Sequence, residues 1–99
     1  MATPDIWVAK DDGSDIIRTS AIAAVGRDYN GNITARLSGV EQAVVTLVAE
    51  TAHTGPPTPE DFHLQLIRLI AELSGASEPV IVRPGHDERQ GWKWRAGPL

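Results

Sequence analysis

The chain has 99 residues, 41% of them hydrophobic and 22% charged, with a formal charge of −4 and no cysteine. That length holds one domain, and the apolar share is too high for a disordered chain. Lack of cysteine excludes disulfides, thiolate metal sites and a cysteine nucleophile, while the acidic balance disfavours whole-surface binding to nucleic acid or anionic lipid.

Residues 6–10 (Ile-Trp-Val-Ala-Lys) read as a short strand, and Asp11-Asp12-Gly13-Ser14 turns the chain into a second at 15–18. Thr19-Ser20 interrupts, as a bulge or a single helical turn, before the apolar run 21–25. Asn30-Gly31 has the composition of a type I′ hairpin, whose two central residues take positive φ. Ile33, Ala35 and Leu37 then alternate with polar neighbours, the period-2 pattern of a strand with one buried face. From 42 to 50 a second alternation turns Ala43, Val45, Leu47 and Ala49 inward and leaves Val44 and Val48 on an apolar face that needs a cover. A four-strand antiparallel meander is expected.

A helix is predicted over about 59–74. Thr58 suits the N-cap and Pro59 the first helical position, with Glu60 and Asp61 in the first turn and Ser74-Gly75 as the stop. Phe62, Leu66, Leu69, Ile70 and Leu73 fall within about 100° of arc, and burying each would contribute roughly 1.5–3 kcal/mol before entropy is subtracted. Leu64, Ile67 and Ala71 project away from that cluster and widen the apolar arc to about 220°, more than one small sheet covers. Either the tail or another protein is expected on this second stripe. After Gly75, residues 78–83 read as a fifth strand, Pro84-Gly85 as a turn, and Trp92-Lys93-Trp94-Arg95 as an extended segment able to pair with 80–83.

The residues carry little chemistry. His53, His63 and His86 show no HExxH pattern, and Glu60 with His63 is more often a solvated pair than an ion grip, so no metal or cofactor is expected. No nucleophile elbow, P-loop or G-x-G-x-x-G pattern occurs, and no catalytic residue is assigned. Charge is divided unevenly: residues 1–78 sum to −6 and residues 79–99 to +2. No apolar run approaches the roughly 18 residues of a membrane span, and Met1 to Asp5 lacks a basic-then-apolar leader pattern, so a cytoplasmic chain without membrane contact is expected.

The order of elements resembles the small FlbD-type proteins of flagellar operons. The matching stretch runs from residues 6–10 through Asp12-Gly13, Ser20-Ala21-Ile22-Ala23-Ala24-Val25, 32–39 and 43–50 to the helix at 62–73, about 70 residues. The resemblance implies a one-sheet-plus-helix fold and no particular activity; the 51–57 loop and everything from Glu78 depart from it. A weaker resemblance is to LytTR-type DNA-binding domains. Their basic region after the helix corresponds here to Val80-Ile81-Val82-Arg83-Pro84, where only Arg83 is usable.

Together these features predict an α+β domain. Residues 1–78 would form an antiparallel sheet of four to five strands with one helix packed on a face, and residues 79–99 a strand or hairpin tail on the same domain. The expected function is non-enzymatic protein–protein interaction, as a homo-oligomer or a small subunit of a larger assembly. Its surface would comprise Leu64, Ile67, Ala71, Val44, Val48, Trp7, Trp92 and Trp94, since aromatic anchors in desolvated patches are what interfaces use. The alternative is a regulatory nucleic-acid-binding domain acting through Arg83, Arg89, Lys93 and Arg95, with the neighbouring indoles stacking on bases.

Overall fold

The computed structural model describes residues 5–39, 43–49, 58–75, 77–87, 89 and 91–98. Among them the elements run β1 (Ile6–Ala9), β2 (Ile16–Arg18), a 3-10 turn (Thr19–Ala21), β3 (Ile22–Arg27), β4 (Ile33–Leu37), β5 (Val44–Val48), α1 (Phe62–Leu73), β6 (Val80–Asp87) and β7 (Gly91–Pro98).

The class is α+β with one helix among the described residues, but the strands divide into two sheets where a single meander was expected. One sheet has the order β2-β1-β6-β7 and the other β3-β4-β5. The 3-10 turn after β2 is the break between them. β1 pairs parallel with β6, Trp7 opposite Ile81, so the C-terminal hairpin extends the first sheet instead of lying on a separate one. A parallel pair needs a long crossover, here most of the chain, and local alternation carries no trace of it.

One core serves both sheets. Ile6, Val8, Val82, Trp92 and Trp94 from the first meet Ile33, Ala35, Leu47 and Val48 from the second, with Phe62 and Leu66 of α1 between them. Val48 corrects the expected pattern, because it is fully buried. Ile33 faces Val48 while Thr34 faces Thr46, so Leu47 is an extra residue in β5, and the bulge turns both Leu47 and Val48 inward.

Pro84-Gly85, expected as a turn, lie inside β6 opposite Trp94 and Lys93, and the β3–β4 turn and the helix start also differ from expectation. Residues 28–31 form a four-residue turn, closed by the Gly31 amide donating to the Asp28 carbonyl, with Gly31 at a positive φ of 90°. The Asp28 carboxylate accepts from the Asn30 and Asn32 amides and so holds this loop from inside. The helix begins at Phe62, with Asp61 at the N-cap, and Thr58 lies three residues upstream of that cap. Thr58 is buried; its hydroxyl donates to the Gly31 carbonyl at 3.0 Å and accepts from Arg27 Nε at 3.4 Å. It tethers the start of the helix segment to the β3–β4 loop.

Candidate functional site

The second apolar stripe of α1 is open. Leu64 and Ile67 are 44% and 46% exposed, and Ala71 is exposed beside them. The tail does not cover the stripe: the helix lies between two clefts, and Ile67 and Ala71 line the one away from β7. Toward β7 a shallow cleft is lined by Gln65, Arg68, Leu69, Glu72, Lys93 and Trp94. Toward β3 lies a larger one of about 470 Å³, lined mainly by Ile67, Ile70 and Ala71 of the helix and by Ile22, Ala23, Ala24 and Val25 of β3. Its wall is apolar, and the polar groups gather at one end.

That polar end comes from the other sheet. Asp5 and Arg18 line it and form a 3.5 Å ion pair, and the Arg18 guanidinium also sits 4.9 Å from the centre of the Trp7 ring. Trp7 is thus half-buried beneath a cation and not a free anchor. Thr19 and Ser20 of the 3-10 turn complete this end.

β3 forms one edge of its sheet, paired with β4 on one side only among the described residues. The Asp28 amide donates to the Asn32 carbonyl, which fixes the alternation of the β3–β4 ladder. Ala24 and Gly26 therefore exchange bonds with β4, while the N–H and C=O of Val25 and Arg27 point away from it. Val25 is also one of the residues that line the cleft.

The other predicted residues are dispersed. Trp92 and Trp94 are core residues, 6% and 8% exposed, packed on Phe62 with ring centroids 5.8 and 4.7 Å away. They do not belong to an exposed surface and offer no stacking platform for bases. Val48 is buried in the bulge, and Val44 is exposed at the far end of the same strand. Ile16, 50% exposed on β2, and Tyr29, 97% exposed in the β3–β4 turn, are large exposed side chains that the sequence pattern did not single out.

Arg83, Lys93 and Arg95 lie on the outer face of the β6–β7 hairpin, opposite the indoles, and Arg89 is exposed in its turn. Arg83 stands directly across from Arg95, whose own partner is Asp87 at 3.7 Å. Trp7 shares that outer face through its pairing with Ile81. Among the described residues no group of three or more His, Asp and Glu side chains is placed to hold a metal, and no helix is long and apolar enough to cross a membrane. The sequence matches no protein-family model, and no curated protein or solved structure is significantly similar to it.

Proposed function

We propose that this chain is a non-enzymatic protein–protein interaction module whose docking site is the cleft between α1 and β3 with the Leu64–Ile67–Ala71 stripe at its rim. The observation that carries the reading is two large aliphatic side chains, Leu64 and Ile67, held nearly half exposed beside an apolar cleft. Solvated helices do not ordinarily keep such residues at that spacing, and a contiguous apolar patch beside a concavity is the usual mark of a protein contact. The cleft wall offers one ion pair, already satisfied, and the hydroxyls of Thr19, Ser20 and Ser74, a poor set for chemistry and a good one for fixing the register of a partner.

The test compares wild type with the double variant Leu64→Glu/Ile67→Glu in two assays: mass in solution by light scattering, and capture of displayed polypeptides on the immobilised chain. Both side chains are exposed, so the variant keeps its far-UV circular dichroism. Wild type is expected to bind in at least one assay and the variant in neither. Equal behaviour of the two chains in both assays contradicts the reading.

A second reading rests on the Arg83–Arg95 pair. Like charges opposite one another weaken a sheet, and here they join Lys93 and the half-buried Trp7 on one flat face. Such a face suits a phosphate backbone, with Trp7 and not Trp92 or Trp94 as the aromatic. It predicts oligonucleotide affinity that falls steeply with salt and is lost in Arg83→Ala/Arg95→Ala; flat titrations at low salt remove it.

A further inference from the structure

We propose that the occupant of the cleft is an extended segment of another polypeptide, added as a strand along the free edge of β3 beneath α1. The proposal rests on the interaction reading above and names the partner's chemistry. Four sheet edges exist among the described residues, and three are blunted. β2 is three residues long, β7 carries Lys93, Arg95 and Pro98, and β5 is tied by Asp11, whose amide donates to the Leu47 carbonyl while its carboxylate accepts from the Ala49 amide. Short edges, edge charges and covered edges are the devices that keep sheets from pairing. β3 runs Ile22-Ala23-Ala24-Val25-Gly26-Arg27, mostly small, with its one charge at the far end, where the Arg27 guanidinium donates to the Thr58 hydroxyl and carbonyl; it has a bulge between Ile22 and Ala24 and regular pairing beyond it.

Small side chains let a second backbone approach. Val25, which lines the cleft, then supplies one outward N–H and one outward C=O, the donor and acceptor that an added strand needs. The added strand would alternate. Residues on one side meet Ile67, Ile70 and Ala71 and must be apolar, and those on the other side face water.

A second copy of the chain fits less well. α1 and β3 are each about 18–20 Å long and together about 20 Å wide, a patch of about 400 Å² against the roughly 800 Å² per partner of a stable dimer. A two-fold contact would also set the cleft against its own image, concave against concave. A narrow extended chain fills it. The lining holds one acid and one base, paired with each other, so the entering segment is uncharged where it lies between α1 and β3.

The probe is a displayed library of random octapeptides selected on the full chain, followed by synthesis of the enriched peptides with N-methyl groups at alternate residues. Expected are sequences apolar at every second position, weakened about tenfold or more by N-methylation on one alternate set only, as loss of a main-chain bond requires. Ala71→Arg, which fills the cleft from the exposed helix face, abolishes binding, and Ala71→Ser preserves it. Enriched peptides with helical spacing, or insensitive to N-methylation, overturn strand addition while leaving the docking site standing if Ala71→Arg still blocks them. No enrichment overturns the proposal. If the chain then also proves to be a dimer by light scattering, dissociated by Leu64→Glu/Ile67→Glu, a second copy is the occupant; if it is a monomer, the interaction reading falls too.

Discussion

The indole Nε1 of Trp94 donates a 2.8 Å hydrogen bond to the main-chain carbonyl of Phe62, and the two rings stack with centroids 4.7 Å apart and planes 18° from parallel. This contact fixes the first turn of α1 to β7, on the flank away from the apolar cleft. Trp94→Phe keeps an aromatic ring but removes the donor, and is expected to cost about 1–3 kcal/mol in urea unfolding. Trp94→Ala, which also empties the site, is expected to cost about 3–5 kcal/mol.

Thr58 makes a second tether. Its hydroxyl links Arg27 and the Gly31 carbonyl in a buried position, so Thr58→Val removes both the donor to that carbonyl and the acceptor for Arg27. The expected loss is about 1–3 kcal/mol. Thr58→Ser, which keeps the hydroxyl, recovers most of it. The ellipticity at 222 nm of the folded variant stays that of wild type, because the helix starts beyond this residue; a shortened helix would restore Thr58 to the N-cap role that the sequence suggested.

Acid should loosen the β3–β4 turn. Asp28 lies below the usual carboxylate range, first because the Asn32 amide donates to it, then because the Asn32 side chain does. A depressed folded-state pKa means the contribution is complete above the unfolded pKa and is lost as pH falls through the folded one. Asp28→Ala is therefore less stable than wild type at pH 7, and the gap closes in the acid limb, as pH falls through and below the usual carboxylate range. Asp12, lowered by the Ser14 hydroxyl and amide, gives the same sign for the β1–β2 turn. A gap that stays constant across unfolding curves taken in that range would contradict the assignment.

The Arg83–Arg95 pair can be tested without any ligand. Arg83→Glu places opposite charges across β6 and β7 and is expected to stabilise the chain by about 0.2–1 kcal/mol, less at high salt. If Tm falls instead, Arg83 makes a favourable contact in the free chain and the like-charge argument for the outer face is lost.

The strands and the helix were legible because burial imposes local periods. Ile33 and Ala35 occupy the buried face that their alternation assigns, and Phe62 and Leu66 the buried face of α1. The Leu64–Ile67–Ala71 stripe was legible for the same reason, as apolar residues beyond what one face can bury. What escaped was non-local. The bulge at Leu47 shifts two neighbours inward together, and a reading of strict alternation sends Val48 outward. The pairing of β1 with β6 joins residues 6–8 to 80–82, and nothing near either segment encodes it. Trp92 and Trp94 look like surface aromatics because Lys93 and Arg95 accompany them; in an edge strand that same alternation divides a dry face from a wet one. The free edge of β3 follows only from knowing which strands end each sheet.

Amide hydrogen exchange along β3, measured by NMR on the chain alone and with a saturating amount of an enriched octapeptide, tests strand addition most directly. Ala24 and Gly26, bonded to β4, should be protected in both states. Val25, whose amide points away from β4, should exchange rapidly in the free chain and become protected in the complex. A Val25 amide unchanged at saturation, or protection gained instead around Arg83, Lys93 and Arg95, would contradict the account.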